Sequence, residues 1–242
     1  EPLVALIHAM STMATSGISP VDGLAERPAG ILGEAMIFAF FIFALSRRSF
    51  SEGFGPSWPG RMANDREVRL AAFAVVLLPT LLFARHWVGA LEVDQVENVP
   101  AALRALWGGA FTVLSFITTT GFVSESWAEA RQWSGLETPG LLLVGLVLMG
   151  GGVATTAGGI KLLRVYALYK HGTREMGKLV YPNSVASAGI LGRRIRREGA
   201  YIAWIFFMLF ILSLAAVMLA LAATGLGFEQ ALILSIAALT TT

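Results

Sequence analysis

Apolar residues run through this chain in long blocks, without the short alternation of a half-buried strand. Leu106–Val123, Pro139–Ile160 and Gly199–Phe228 contain no charged residue. Ala29–Leu45 is interrupted only by Glu34, and Leu70–Ala84 continues past Arg85 and His86 to Leu91. About 20 apolar residues carry a helix across the hydrocarbon core, so each block predicts a span or a segment buried at membrane depth.

The loops between the blocks differ in charge, and this changes the reading of one block. Segment 46–69 holds Arg47, Arg48, Arg61, Arg66 and Arg69. Segment 161–198 holds Lys161, Arg164, Lys170, Arg174, Lys178, Arg193, Arg194, Arg196 and Arg197. Together these are 14 of the 18 basic residues. Segments 92–105 and 124–138 carry only Arg104 and Arg131, beside Glu92, Asp94, Glu97, Glu125, Glu129 and Glu137. Basic loops stay on the cytoplasmic side, so both flanks of 106–123 are expected outside. That block should enter as a short helix, turn, and return extended on the same side. Non-helical backbone at this depth is tolerated only inside protein or along a water-filled path. A pore or a binding cavity follows.

The dip recurs. Ser11-Thr12-Met13-Ala14-Thr15-Ser16-Gly17-Ile18 aligns without gaps on Ser115-Phe116-Ile117-Thr118-Thr119-Thr120-Gly121-Phe122, and Thr118-Thr119-Thr120 aligns in turn on Thr240-Thr241-Thr242. Spans follow the first two copies (Ala29–Leu45, Pro139–Ile160) and precede the second and third (Leu70–Leu91, Gly199–Thr224). The repeating unit is span, re-entrant helix, Thr-Gly turn, span, the mark of duplicated membrane units. Small and hydroxyl residues also serve plain helix packing; it is the register of three copies that favours an ion path.

Composition agrees. Hydrophobic residues make up 55% of the chain and charged residues 14%, where a soluble domain carries about a quarter charged. There is no cysteine, hence no disulfide framework, thiol nucleophile or Cys-based zinc site. No Ser/His pair, paired Asp or His-Glu-x-x-His arrangement appears. The reading is of a non-enzyme with no cofactor in this chain and no nucleic-acid partner. The start at Glu1 and the stop at Thr242, inside a repeat, are read as an internal piece of a longer chain in which Gly follows Thr242.

The chemistry of the turns suits a monovalent cation. A dehydrated potassium ion needs oxygens in place of water, and backbone carbonyls supply them without charge. Gly17 and Gly121 permit the positive φ that aims consecutive carbonyls inward. Each short helix points its partially negative C-terminus at the ion, worth ~0.3–1 kcal/mol. No acidic residue lies in either complete turn.

These residues resemble the Trk/Ktr/HKT superfamily of potassium transporters, most closely the bacterial Trk pore subunit. The matches are Ala14-Thr15-Ser16-Gly17, Thr119-Thr120-Gly121-Phe122, and the most specific of them, Gly150-Gly151-Gly152-Val153-Ala154-Thr155-Thr156-Ala157-Gly158-Gly159-Ile160-Lys161. Ser16 and Ile18 depart from the commoner family residues. The resemblance implies an all-α integral membrane fold of tandem M1–pore helix–M2 units, about two and a half of the family's four. Residues 1–49 would hold the pore helix, filter and M2 of the second unit. Residues 50–174 would form the third unit, and 175–242 the M1 and pore helix of the fourth. It implies filter residues Ala14, Thr15, Ser16, Gly17, Thr118, Thr119, Thr120, Gly121, Phe122, Thr240, Thr241 and Thr242, with potassium as the transported ligand. It implies a gate at Gly150, Gly151, Gly152, Thr155, Thr156, Gly158, Gly159 and Lys161. A cytosolic nucleotide-binding regulatory subunit, a homodimer of the full-length protein and residence in the bacterial cytoplasmic membrane follow from the same resemblance.

The residues themselves support a break at 150–161, because glycines weaken a helix by ~1 kcal/mol each relative to Ala. Close packing through small residues is the competing reading. Lys161 is expected to snorkel to the inner surface, with contact to gate carbonyls as the alternative. Glu34 is expected as a satisfied interfacial carboxylate, and Trp107, Trp127 and Trp133 as an outer aromatic belt. His8, His86 and His171 show no ligand spacing. Arg193–Arg197 reads as a topological anchor or a dock for a regulator. The rival functions are a secondary transporter with discontinuous helices and a non-conducting assembly subunit.

Overall fold

The computed structural model describes residues 2–21, 24, 30–51, 55–90, 99–134, 139–180 and 197–242. Among these residues all regular structure is helical. In chain order the helices are α1 (Pro2–Ala14), α2 (Gly30–Phe40), α3 (Ile42–Leu45), α4 (Arg48–Ser51), α5 (Trp58–Ala63) and α6 (Arg66–Ala90). They continue with α7 (Val99–Ile117), α8 (Trp127–Ser134), α9 (Pro139–Met149), α10 (Leu162–Val180), α11 (Arg197–Ala222) and α12 (Phe228–Thr240).

Among the described residues, three stretches are long and apolar enough to cross a membrane: Arg66–Ala84, Pro100–Ile117 and Gly199–Ala222. The first and third are exposed along much of their length, with Phe73, Val76 and Leu81 on α6 and Leu209 and Leu212 on α11 turned outward. Apolar side chains on the outer surface of a membrane bundle face lipid, which is as apolar as they are. α6 starts at a cap: the Asp65 carboxylate accepts the Glu67 amide at 3.0 Å, supplying one of the acceptors a helix N-terminus lacks.

α7 behaves differently and lies at the centre. α6, α8 and α9 pack against it, and α2 touches it from another side. Its Phe111, Val113 and Ile117 are fully buried, as is Phe41, whose ring sits 5.7 Å from Phe111. The last element, α12, packs on α11 and α9.

The block 106–123 is not one continuous helix. α7 ends at Ile117, and the chain then climbs back along the helix it has just left. The Ser124 amide meets the Thr112 hydroxyl at 3.4 Å. A Cβ on Gly108 would stand 2.6 Å from the Ser126 carbonyl oxygen, so glycine there admits the returning limb. Residues 118–126 are therefore a re-entrant return. Two other blocks also divide. Ala29–Leu45 turns at Phe41 between α2 and α3, and Pro139–Ile160 stops being helical at Met149.

Candidate functional site

The three repeat turns share one backbone device. Thr15, Thr119 and Thr241 all adopt left-handed φ, at 51°, 57° and 61°. The next residue donates its amide five positions back in each case: Ser16 to the Ser11 carbonyl at 3.1 Å, Thr120 to Ser115 at 2.9 Å, and Thr242 to Ala237 at 3.1 Å. This is the Schellman closure of a helix C-terminus, where glycine normally takes the left-handed place. A β-branched residue with positive φ is a genuine outlier, and such strain costs roughly 1–3 kcal/mol. It persists here three times in register, and at Thr15 and Thr119 the surroundings bury it completely.

Side-chain bonds repeat as well. The Thr118 and Thr120 hydroxyls lie 3.2 Å apart, and those of Thr240 and Thr242, in the same register, 3.1 Å apart. The first copy has Ala14 in place of the first hydroxyl, and Ser16 bonds the Ser11 hydroxyl at 3.2 Å instead. The returning limb is tethered to the same helix position in both complete copies, though one residue apart along the limb: His8 to the Ser19 hydroxyl at 2.8 Å and Thr112 to the Ser124 amide. The His8 ring also meets Phe122 edge-on at 5.6 Å, so the first pore helix braces the second turn.

The turns converge. A Cβ on Gly17 would run into the Thr120 carbonyl oxygen. A Cβ on Gly121 would stand 3.0 Å from the Thr242 methyl group, and the Thr242 hydroxyl reaches the Thr119 carbonyl at 3.3 Å. Both glycines have positive φ, 64° and 80°. They are needed for conformation and for space.

Beneath the turns lies the glycine-rich break. Its ends meet, with the Ile160 amide on the Leu148 carbonyl and the Leu162 amide on the Gly151 carbonyl, both at 3.0 Å. Residues between them protrude as a loop that touches all three turns. The Thr156 hydroxyl donates to the Met13 carbonyl at 3.2 Å. The Gly158 amide donates to the Thr119 hydroxyl at 2.7 Å. A Cβ on Gly158 would strike the Thr240 carbonyl. On its other side the loop rests on α3: the Ala44 carbonyl accepts the Gly152 amide at 2.9 Å and the Thr155 hydroxyl at 3.0 Å. Buried Glu67 accepts the Val153 amide at 2.7 Å. Gly150 and Gly159 press together, both at positive φ.

Three expectations are corrected. Of the two readings of Lys161 the alternative holds over snorkelling: its ammonium bonds the Ala157 carbonyl of the break, and the left-handed backbone at Lys161 (φ 82°) folds it back over the loop. Glu34 is a satisfied carboxylate, as expected, yet it is buried in the protein and not at its surface. It is 5% exposed and is held by the Trp107 indole N–H at 2.7 Å, the Ser124 hydroxyl at 2.9 Å and the Glu125 amide at 2.8 Å. Trp107 points at that carboxylate instead of joining an aromatic belt, and Trp127 is buried. The Trp133 and His86 side chains and residues 193–196 lie outside the described residues.

Sequence reasoning missed the Ala44 and Leu45 carbonyls, Glu67 and the Asp65–Ser46 contact, where the Ser46 hydroxyl donates to Asp65 at 2.7 Å. A carboxylate at the edge of an apolar block was the available signal for Glu67. Among the described residues no cluster of His, Asp and Glu could hold a metal.

Comparison with known proteins decides the family. The model of the family described as "TrkH: Cation transport protein" matches residues 67–242. The chain belongs to that family. The "Trk system potassium uptake protein TrkH" of Escherichia coli (strain K12) is 35% identical over 166 residues, 67% of this chain and 31% of the relative. The protein of the same name from Vibrio parahaemolyticus is 28% identical over 93% of this chain and 44% of its own length. The chain thus spans between about a third and a half of these TrkH relatives. A solved structure, "Crystal Structure of the Potassium Transporter TrkH from Vibrio parahaemolyticus", superposes with a TM-score of 0.72 over 96% of this chain and 48% of that one, at 24% identity. The fold is that of a TrkH membrane transporter, with M1–pore helix–M2 units.

Proposed function

We propose that this chain forms part of a potassium-uptake pathway across the bacterial cytoplasmic membrane. The filter is lined by backbone oxygens of Ala14–Gly17, Thr118–Phe122 and Thr240–Thr242, and the loop Gly150–Lys161 is its gate. The observation that carries this reading is the threefold left-handed threonine closing three converging helix ends. Neutral carbonyls and hydroxyls at helix C-termini replace the hydration shell of a weakly hydrated monovalent ion. The loop beneath is bonded to the ends of the first two turns and packs closely against the third, which suits an element that must leave before an ion can pass. The names of the relatives supply potassium as the ion.

The units in this reading are 1–49, 50–174 and 175–242, and the one whole unit, 50–174, ends on the same side as it began. Parallel repeats of this kind favour a pore over a transporter built on inverted repeats. The full-length protein would be a homodimer opened by a nucleotide-binding regulatory subunit on the cytosolic side, where the basic segments 46–69 and 161–198 lie.

The test is ion uptake by the full-length protein carrying Gly121→Ser. The reading expects a loss of potassium-over-sodium preference. An unchanged preference in folded protein would refute the assigned filter.

A further inference from the structure

We infer that Glu34 is a positioning residue for the filter turn of the neighbouring repeat, clamping the pore helix that enters Thr118–Gly121 to the limb that leaves it. The inference rests on the filter reading above and deepens it. One carboxylate reaches both sides of the turn. Its Oε2 accepts from the Trp107 indole on α7, before the turn, and from the Ser124 hydroxyl after it. Its Oε1 accepts from the Glu125 amide, also after it. Glu34 itself stands on α2, in a different repeat.

Two alternative roles fit less well. An acid that attracts passing cations needs exposure and free oxygen lone pairs, whereas Glu34 is 5% exposed and both its oxygens are engaged. An acid that merely satisfies one stray donor would not gather three from two segments. Two donors meet Oε2 and one meets Oε1, so all three depend on this one group. Ser124 passes the restraint along the limb: its hydroxyl accepts the Ser126 amide at 3.2 Å, and its own amide rests on Thr112. A binding constellation must be held to within about 0.5 Å to discriminate, and the limb begins at Phe122, directly after the turn.

The experiment compares potassium and sodium flux through the full-length protein in lipid vesicles for Glu34→Gln and Trp107→Phe, with Gly121→Ser as reference. Gln keeps the shape but places an N–H₂ where a donor already points. Expected is a fall in potassium-over-sodium preference of about three- to tenfold for Glu34→Gln, and a smaller fall in the same direction for Trp107→Phe. Both proteins should elute as folded material. Wild-type preference in either folded variant would overturn the inference, as would slower uptake at low potassium with the preference intact. If Glu34→Gln does not fold, Trp107→Phe decides alone. If Gly121→Ser shifts the preference and the Glu34 and Trp107 variants do not, the clamp fails while the filter stands. If Gly121→Ser also leaves it unchanged, both fall.

Discussion

The amide of Gly158 donates to the hydroxyl of Thr119 at 2.7 Å. The break in one helix is thereby tied to the strained left-handed residue of the turn above it. Backbone that has left helical geometry at membrane depth must find partners within the protein. Here the break and the turns supply one another.

Removing that acceptor should loosen the loop. Thr119→Val keeps the β-branched shape and leaves the Gly158 N–H without its partner, a cost of about 1–3 kcal/mol. Basal ion flux through the full-length protein, measured without activating partners, should rise severalfold. Thr119→Ser, which keeps the hydroxyl, should behave as wild type. Equal flux in the Val and Ser variants would show that the bond does not hold the loop.

Gly152 tests the other support. A Cβ there would collide with the Leu45 carbonyl, so Gly152→Ala should push the loop off α3. Hydrogen exchange at the amides of Gly152, Val153 and Gly158 should become at least tenfold faster, a change of about 1.4 kcal/mol in local opening. Unaltered protection of these amides would contradict the packing described.

Two glycines with nearly the same φ separate conformation from space. A Cβ on Gly17 (φ 64°) would meet the Thr120 carbonyl, whereas one on Gly30 (φ 67°) would find nothing within 4 Å. Gly30→Ala should cost only the left-handed penalty, about 1–2 kcal/mol, with selective uptake retained. Gly17→Ala should abolish selective uptake, because two turns cannot approach. Comparable uptake by the two variants would remove the steric role assigned to Gly17.

Asp65 joins several tasks at the start of α6. It caps the helix through the Glu67 amide, accepts from Ser46, and sits 3.7 Å from the Arg48 guanidinium. Asp65→Ala should lower stability by about 1–2 kcal/mol, most of it from the cap and the buried Ser46 hydroxyl, since Arg48 is half exposed and adds little. Thermal unfolding in detergent should show the drop at low and high salt alike. A loss that disappears at high salt would assign the effect to the ion pair.

What could be read from the sequence was whatever depends on short-range order or on counts along the chain. Uncharged blocks at Leu70–Ala84 and Gly199–Phe228 needed only the length of an apolar run, and α6 and α11 lie there. Acidic flanks on both sides of 106–123 implied a return, and Ser126 does come back beside Gly108. The register of Thr15, Thr119 and Thr241 was visible as a repeat, and glycines at 150–152 and 158–159 marked the break. These signals are local because propensity, hydropathy and loop charge act where they stand.

Only the tertiary structure decided which groups meet. No pattern along the chain places the Ala44 carbonyl on Gly152, or Glu34 against Trp107 and Ser124. Each joins residues that lie on different elements or on backbone folded back upon itself. In a membrane interior such groups have no water to turn to, so the partner is chosen by whichever polar atom packing brings within reach.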